Sequence, residues 1–409
     1  MLLWLTRARF PLLVLLAFAL GAGGFAYFRY KRISAYIVSQ LDAGAARRLG
    51  RQVRFGGVSF SPLKGIVIKD ACVSRRPDFS KGEFFCAGKA VIRPQFGALL
   101  RDQVYFSSVY LEKPVLKVRE KGGAWDFEDL LALLPKTDKG LHLTWNASEL
   151  RLKDATLEAD LETSGLSLAL EHADLTLTHY SSYGGNFGLE AEGIVKTVLD
   201  GKLLSSGVKI DADANFEYGG MSSTKGSFTA EDATYGATTL KKFSADWALF
   251  NLRKPLAEKN YSVSAAAEGL LVPSLGGAAG AGLSDGMTLF ARIMGHPAPQ
   301  PVEDYKVSSF KAAFALRGSR VAVKDLEFRS NFIDLGASLS IDGPAKTADA
   351  ALKAVIARDK IELSASGPLD KPAIKPLLSA TLETRLKAAL ASLERSLLNI
   401  FPVTGEQHV

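Results

Sequence analysis

Apolar and polar residues alternate along Ala155-Thr-Leu-Glu-Ala-Asp-Leu161, with Ala155, Leu157, Ala159 and Leu161 at every second position. Successive side chains of a β-strand point to opposite faces of the sheet. The stretch therefore predicts a strand with one apolar face and one polar face.

The same alternation recurs along much of the chain. It is present in Leu150-Arg-Leu-Lys153, in Leu166-Ser-Leu-Ala-Leu170 and later in Leu335-Gly-Ala-Ser-Leu-Ser-Ile341. Turn-forming residues such as Tyr183-Gly-Gly-Asn186 and Asp342-Gly-Pro344 separate the segments. Strands at short intervals with few helices between them are typical of an antiparallel meander. We therefore expect a mainly β protein whose body is a long, twisted antiparallel sheet.

Short helices are predicted at the ends of this sheet. Residues 33–49 carry apolar residues at helical spacing, and Trp125-Asp-Phe-Glu-Asp-Leu-Leu-Ala-Leu-Leu134 has an apolar helical face. A third apolar stripe begins at Leu378 and continues to Ile400 at three- and four-residue spacing. We interpret this last helix as packed on the end of the sheet, and a docking or lipid-gating element is the alternative.

One segment is apolar enough to cross a membrane. Residues 10–28 contain no charged side chain, and as a helix they would span about 28 Å, which is close to the hydrocarbon thickness of a bilayer. A cleaved signal peptide is the alternative, because Gly21-Ala-Gly-Gly24 supplies small residues after an apolar run. We favour an uncleaved anchor, since apolar residues continue through Phe28.

The excess positive charge lies beside this segment. The chain has a net charge of +7, yet residues 1–54 hold nine bases and one acid, whereas the remaining residues hold 41 bases and 42 acids. Basic clusters next to a span contact anionic lipid headgroups, and a neutral body lacks the basic face of a nucleic-acid-binding protein. The bases that we expect to contact headgroups are Arg29, Lys31, Arg32, Arg47 and Arg48.

The charges alone do not fix the orientation of the span. Arg7 and Arg9 precede it, whereas Arg29, Lys31 and Arg32 follow it. Counted strictly, the positive-inside rule favours a body in the cytoplasm. The cysteine pair and the resemblance described below favour a body outside it.

The two cysteines, Cys72 and Cys86, lie in two predicted strands joined by a turn. In a hairpin centred near residue 79, positions whose numbers add up to 158 face each other, and the two cysteines satisfy this condition. Directly opposed residues have Cα atoms about 4.5–5.5 Å apart, which permits a disulfide. Two unrelated buried thiols are the alternative reading.

The sequence offers no catalytic or metal-binding motif. None of the five histidines lies in a metal-ligand spacing, and the chain lacks HExxH, CxxC and GxSxG motifs and a phosphate-binding loop. His172 and Asp174 share a strand face near His179, and we interpret them as a polar strand surface. We expect no catalytic residue, no metal and no cofactor, and we do not expect an enzyme.

A long sheet with one apolar face must cover that face. It can close on itself or pack against another layer, or it can remain open and hold acyl chains in a hydrophobic groove. The pattern alone does not separate these options. If the groove is open, the residues that we expect to line it are Leu150, Leu152, Leu157, Leu161, Leu166, Leu168, Leu170, Leu175, Leu177, Val321, Val323 and Phe328.

Several sequence segments near the two ends of the chain resemble one protein family. They are Leu49-Gly-Arg-Gln-Val53, Gly57-Val-Ser-Phe-Ser-Pro-Leu-Lys-Gly-Ile-Val-Ile-Lys-Asp70, Phe106-Ser-Ser-Val-Tyr-Leu-Glu-Lys-Pro-Val-Leu-Lys-Val118, Gly122-Gly-Ala-Trp-Asp-Phe-Glu-Asp-Leu130, Ser319-Arg-Val-Ala-Val-Lys-Asp-Leu326 and Ile361-Glu-Leu-Ser-Ala-Ser-Gly-Pro-Leu-Asp-Lys-Pro-Ala-Ile374. The regions of resemblance cover about half of the chain. They resemble the AsmA family of bacterial envelope proteins, which is related to TamB-like and other repeating-β-groove lipid transporters.

The resemblance implies a single-pass anchor in the bacterial inner membrane and a body in the periplasm. It implies an elongated hydrophobic β-groove that carries phospholipid between the inner and outer membranes and contributes to outer-membrane biogenesis. An envelope protein or a second copy of the chain is a possible partner. The alternative is a structural or assembly factor for outer-membrane proteins, with a closed sheet and no lipid cargo.

These interpretations divide the chain into eight parts. They are residues 1–9 (cytoplasmic tail), 10–28 (transmembrane anchor), 29–50 (juxtamembrane amphipathic helix), 51–135 (N-terminal AsmA-like β region), 136–301 (middle β-groove region), 302–376 (C-terminal AsmA-like β region), 377–401 (C-terminal amphipathic helix) and 402–409 (tail).

Overall fold

The fold is mainly β, as predicted, and it consists of two compact units. The first comprises Met1–Lys136 and His142–Thr176, and the second comprises Thr137–Leu141 and Leu177–Val409. The computed structural model describes residues 50–61, 64–94, 106–131, 147–179, 185–217, 220–273, 304–331, 333–356 and 359–378, together with 383, 384 and 387.

Several predicted features lie outside the described residues. They are the anchor at 10–28, most of the juxtamembrane helix at 29–50 with all five headgroup-contacting bases, and most of the helix at 377–401. Within the part of the chain that the structure describes, no helix has the length and hydropathy of a membrane span.

The first unit is a sheet built around β3, β4 and β5. Strands β1 and β2 both pair with β3, β1 with the end of it and β2 with its beginning, so they act as one bent edge strand. The strands are β1 (Val53–Arg54), β2 (Gly57–Ser61), β3 (Gly65–Ser74), β4 (Glu83–Pro94), β5 (Phe106–Lys121), β6 (Ala124–Trp125), β7 (Ala147–Leu161) and β8 (Leu166–His179), whose last residues belong to the second unit.

The expectation of a wholly antiparallel sheet is wrong at one pair, because β5 and β7 are parallel. After β5 the chain makes the short strand β6 and the helix α1 (Glu128–Leu131), and it then returns to begin β7 beside the start of β5. A parallel pair requires such a crossover. Three ion pairs between the two strands follow the parallel register: Lys117–Glu158 at 3.0 Å, Arg119–Asp160 at 3.4 Å and Lys121–Glu162 at 4.0 Å.

The second unit is a meander in which every strand from β9 to β19 pairs antiparallel with the next. In the described residues β9 and β19 do not pair with each other, so this sheet is open. Its strands are β9 (Gly185–Leu199), β10 (Lys202–Glu217), β11 (Gly220–Tyr235), β12 (Thr238–Phe250), β13 (Asn260–Pro273), β14 (Asp304–Arg317), β15 (Arg320–Ser330), β16 (Ile333–Asp342), β17 (Thr347–Ile356), β18 (Asp359–Pro368) and β19 (Ala373–Leu378).

Two predicted helices begin too early in the sequence: Trp125 lies in β6, and residues 377 and 378 lie in β19. Leu378, placed at the start of the C-terminal helical stripe, is the last residue of β19 and pairs with Ile361. Pro376 does not end the sheet, because it lies in the last strand and pairs only with β18 in the described residues, where a missing N–H is tolerated.

Many strands contain a non-glycine residue in the left-handed conformation near their middle. In β15 this residue is Asp325, with φ 53°, and it forms a β-bulge. The apolar positions change there from odd numbers (Val321, Val323) to even numbers (Leu326, Phe328), yet all four oppose odd-numbered residues of β16. One extra residue reverses the alternation, so the bulge keeps all four side chains on one face. Other left-handed residues, with φ between 49° and 53°, are Asp70, Lys113, Asp154, His172 and Asp232. At Asp70, Lys113 and Asp154 the pairing keeps its register, so neighbouring strands reverse their alternation together.

The same logic holds across the first unit. Ile68 and Ala71 lie on either side of the left-handed Asp70, and both are buried in one apolar cluster with Ala90. Register connects Ile68 to Leu152 through Ala90 and Leu111. It likewise places Leu157 on the face of Ala71, so the leucines before and after Asp154 share one face.

Candidate functional site

The second unit has one continuous apolar face. Directly opposed residues of an antiparallel ladder point to the same face, so the register defines rows that cross the sheet. A first row crosses all eleven strands without a polar side chain; it is Leu189, Ala212, Gly226, Trp247, Val263, Phe314, Val323, Leu339, Ala350, Ala365 and Ile374.

A second row, also entirely apolar, crosses the same strands. At about 4.8 Å per strand, each row is roughly 48 Å long. The second row is Gly193, Val208, Ala230, Phe243, Ala267, Phe310, Phe328, Leu335, Ala354, Ile361 and Leu378.

The opposite face of the second unit is polar. Cross-strand ion pairs cover it, such as Lys209–Glu192 at 3.7 Å and Lys225–Asp213 at 3.2 Å. All four side chains are more than half exposed, so each pair contributes at most about 1 kcal/mol to stability. This face therefore has the composition of a surface in water.

No second layer covers the apolar face within the described residues. Besides its strands, the described part of this unit contains a 3-10 turn at Leu256–Glu258 and the exposed helical residues 383, 384 and 387. Large apolar side chains on the face accordingly remain accessible: Phe314 is 37% exposed and Ile374 is 68% exposed.

A shallow trough spans β12, β13 and β14 in the middle of this face. Ala245, Ala265 and Ala312 oppose one another on β12, β13 and β14, and they form its floor. Larger side chains stand on both sides, Phe243 and Phe310 on one and Trp247 and Phe314 on the other. Residues four apart in a strand are separated by about 13 Å. The trough thus has a flat methyl floor between two aromatic walls.

Trp247 shows how the face stays apolar although it includes an indole N–H. Its Nε1 donates to Thr224 Oγ1 at 3.2 Å, which satisfies the polar group. The ring lies over Gly226, because a Cβ at that position would come within 2.7 Å of Cζ2 of the indole. Glycine at 226 therefore leaves room for the edge of the indole.

The twelve residues predicted to line a groove are distributed over both units, and all are half-buried. Eight lie on β7 and β8 in the first unit, and Leu177, Val321, Val323 and Phe328 lie in the second. In the first unit Leu152 and Leu157 face the same side as the buried cluster of Ile68, Ala71 and Ala90.

The residues of β9 to β14 were missed in the prediction. Phe243-Ser-Ala-Asp-Trp247 carries the same alternation, but alanine, glycine and serine surround it and weaken the contrast between the two faces. The missed large side chains of the face include Phe187, Leu189, Ile210, Phe228, Phe243, Trp247, Val263, Phe310 and Phe314.

Cys72 and Cys86 oppose each other in the β3–β4 ladder, in the register expected for a hairpin centred at residue 79. Their Cα atoms are 4.1 Å apart, and the two sulfurs are bonded. Glu83 lies close enough to form a three-ligand group with them. With the sulfurs bonded there is no thiolate, and Glu83 pairs with Arg54 at 2.8 Å.

The histidine cluster lies around Asp154. His172 Nδ1 is 2.9 Å from Asp154 Oδ1. Asp174 accepts from the backbone N–H of Asp154 at 2.8 Å and from Lys153, and these hydrogen bonds lower the pKa of Asp174. His172 is 73% exposed. The cluster thus supports the left-handed residue Asp154 on a polar surface.

A buried polar cluster closes one end of the first unit. The Arg51 side chain is 1% exposed, pairs with Asp129 at 2.7 Å and donates to the Ser74 carbonyl at 3.4 Å. It also donates to the Asp126 carbonyl and lies 4.3 Å from the centre of the Phe84 ring. Arg51 thereby joins the start of the described chain to α1 and β3.

Two further groups extend this cluster. Arg75 pairs with Asp126, and burial lowers the pKa of Arg75. Glu120 accepts from the hydroxyl and the backbone N–H of Thr163, at 2.6 and 3.0 Å, and from the backbone N–H of Gly123. These hydrogen bonds lower the pKa of Glu120. Every charge here has a structural partner, so the cluster acts as a clasp.

A scan against protein-family models finds no match, and searches of curated proteins and of solved structures find none either.

Proposed function

We propose that this chain is an AsmA-like, membrane-anchored carrier of phospholipid acyl chains, which it holds on the apolar face of its second unit. The body would lie in the periplasm and contribute to lipid transport between the inner and outer membranes. The observation that carries the proposal is the apolar face itself, which crosses eleven strands without a polar residue in either of its two rows.

Hydrocarbon is the occupant that fits this chemistry. A binding site for a polar small molecule holds a few convergent hydrogen-bonding groups among apolar ones. The rows described above have none, and the indole N–H of Trp247 is already bonded within the sheet. A surface of this kind gives affinity without fixing the position of its ligand, which suits a cargo that slides.

The cost of exposing the face also supports a resident ligand. Apolar area in water costs about 25 cal/mol per Å², and monomeric proteins rarely expose contiguous patches above a few hundred Å². Rows of roughly 48 Å in length exceed what a soluble surface tolerates. Acyl chains lying across the rows would remove this area from water.

A photocrosslinking experiment in cells tests the proposal on the full chain. A benzophenone amino acid replaces Phe314 on the apolar face, and in a matched variant it replaces Lys311, three residues earlier on the polar face of the same strand. Cells are labelled with radioactive phosphate, irradiated, and the protein is purified under denaturing conditions. We expect labelled phospholipid on the position 314 variant and not on the position 311 variant.

The other outcomes would refute the lipid proposal in distinguishable ways. A protein adduct at position 314 without phosphate would favour the assembly-factor alternative. An adduct to the chain's own residues after 378 would mean that its C-terminal part covers the face. Equal labelling at both positions would show unspecific contact with membranes.

A further inference from the structure

The edge of the second unit where β10 meets β11 and β12 meets β13 exposes large apolar side chains at the ends of the strands. Phe216 is 41% exposed, Met221 38%, Phe250 41% and Leu256 55%. Phe216 opposes Met221 in the ladder. Leu252, two residues after Phe250, donates its N–H to the carbonyl of Ser222 next to Met221, at 2.9 Å. The four side chains therefore belong to one edge, which we call the rim.

The loop from 251 to 259 is built to hold this arrangement. It begins with Asn251 in the left-handed region at φ 60°, whose side-chain amide donates to the Glu258 carbonyl at 2.7 Å. The N–H of Gly318 donates to the Lys259 carbonyl at 2.8 Å and ties the neighbouring β14–β15 turn to the loop. Hairpin loops need two to five residues. Nine ordered residues that display Leu256 outward exceed what the connection requires.

Basic side chains accompany the apolar ones. Three bases, Arg253, Lys254 and Lys259, lie in the loop, and a fourth, Arg317, lies at the end of β14. The rim also contains two acids, Glu217 and Glu258. The neighbouring Arg320 is paired with Asp342 at 2.9 Å. Four bases against two acids, interleaved with phenylalanine, methionine and leucine, give a surface that is both apolar and net positive.

We propose that the rim binds the surface of an anionic lipid bilayer. Apolar side chains flanked by lysine and arginine insert at the boundary between headgroups and acyl chains, and each base near an anionic surface adds to the affinity. The proposal does not depend on a lipid cargo, because it concerns strand ends and turns rather than the apolar face.

The opposite edge of the same unit provides a matched control. Leu203, at the β9–β10 turn, is 54% exposed, which nearly equals the 55% of Leu256. That turn contains Asp200 and Lys202 and so has no net charge. Apolar exposure is the same at the two positions, and only the rim has the positive charge.

The test uses the full chain in nanodiscs of neutral phosphatidylcholine, so that its N-terminal segment is already in lipid. Leu256→Cys or Leu203→Cys is labelled with a polarity-sensitive dye, and vesicles of phosphatidylcholine with or without phosphatidylglycerol are added. We expect a blue shift at 256 with phosphatidylglycerol vesicles and none at 203. Arg253→Glu with Lys254→Glu should weaken vesicle binding at least tenfold, whereas Lys202→Glu should not.

Three results would overturn the proposal. They are equal blue shifts of the dye at 256 and at 203, a blue shift at 256 of the same size with and without phosphatidylglycerol, and vesicle binding that the double charge reversal leaves unchanged. A dye at 256 that responds only to added envelope proteins and not to vesicles would also overturn it and would identify the rim as a protein-binding surface. Arg253→Lys with Lys254→Arg, which keeps both charges, should bind like the wild type.

Discussion

The two units have the same strand pattern, but their apolar residues are covered to different degrees. Among the described residues, nine of the twelve buried apolar residues lie in the first unit, and all twelve large apolar residues that are exposed lie in the second. The first unit has a bent edge strand, a crossover helix and a buried ionic clasp. In the described part of the second unit, the strands are joined by turns and by one nine-residue loop.

This difference teaches that alternation alone does not make a core. In the first unit Phe55 and Val58, at the bent edge, pack against the cluster of Ile68, Ala71 and Ala90. The meander has no corresponding element within the described residues, so its apolar face remains available. The first unit therefore stabilises itself, whereas the second has the surface that suits a ligand.

The largest expected effect is on the ionic clasp. Arg51→Ala should destabilise the first unit by about 3–5 kcal/mol, because it removes the buried pair with Asp129 together with the hydrogen bonds to the Ser74 and Asp126 carbonyls. Asp129 keeps its pair with the more exposed Arg76, at 3.0 Å. Hydrogen exchange measured by mass spectrometry on the full chain separates peptides of the two units. We expect faster exchange in 51–131 and no change in 185–378.

Arg54→Ala is the matched control for the clasp. Its pair with Glu83 is 2.8 Å long, but both side chains are exposed, so the change should cost less than about 1 kcal/mol. Similar effects of the two substitutions would mean that Arg51 is no more important than a surface residue.

A pair of core substitutions compares the two units directly. Ile68→Ala, at a residue 6% exposed, should destabilise the first unit by about 2–5 kcal/mol. Phe314→Ala should cost the second unit about 1 kcal/mol or less, since this side chain already contacts solvent. Both are measured by urea unfolding with exchange as the readout. Equal losses would break the comparison and make the apolar face an ordinary core.

The disulfide should stabilise only the first unit. Cys72→Ser with Cys86→Ser should lower its stability by about 3 kcal/mol, since the bond closes a loop with a sequence separation of 14. A reducing agent should reproduce this loss in the wild type and have no effect on the double variant. A loss that extended into 185–378 would show that the units do not unfold independently.

Acid should weaken the first unit through Glu120. Hydrogen bonds from Thr163 and Gly123 lower the pKa of Glu120 below the ordinary value of 4.5. The stabilisation is therefore complete above that value and is lost as the pH falls through the lower pKa of the folded state. Exchange of peptides around 120 and 163 should accelerate only in this acidic range. In the Glu120→Gln variant the first unit should be less stable at neutral pH, and its stability should lack this pH dependence.

The smallest expected effect concerns the left-handed residues that strands of both units contain. Lys113→Gly in the first unit and Asp325→Gly in the second replace left-handed residues at φ 49° and 53°. Glycine relieves the strain but adds disorder to the unfolded chain, so both changes should alter stability by less than about 1 kcal/mol. Valine at the same positions should destabilise both units. A different response in the two units would mean that the left-handed residues are not equivalent, since the pairing keeps its register at Lys113 and shifts at Asp325.

The sequence predicted the strands and the opposed cysteines well, because both depend on a period of two. It did not predict that the apolar positions change from even to odd numbers, or the reverse, within a single strand. Leu150 and Leu152 are even-numbered and Leu157 and Leu161 are odd-numbered, and only the left-handed residue Asp154 between them places them on one face. The parallel β5–β7 pair was missed, since no local pattern distinguishes it from an antiparallel one.

The candidate site was predicted only in part for the same reason. Alternation identified Val321, Val323 and Phe328, but Trp247 and Phe314 align with them only through the register of β12 to β15. The clasp was also unpredictable, because Arg51 and Asp129 are 78 residues apart.

By itself the sequence determined that the chain forms strands with one apolar and one polar face, because side-chain direction in a strand is a local property of the backbone. It also determined where the excess charge lies. Only the tertiary structure decided which apolar faces are covered. Coverage depends on which distant segments return to pack on a strand, and that follows from register, bulges and crossovers rather than from local preference.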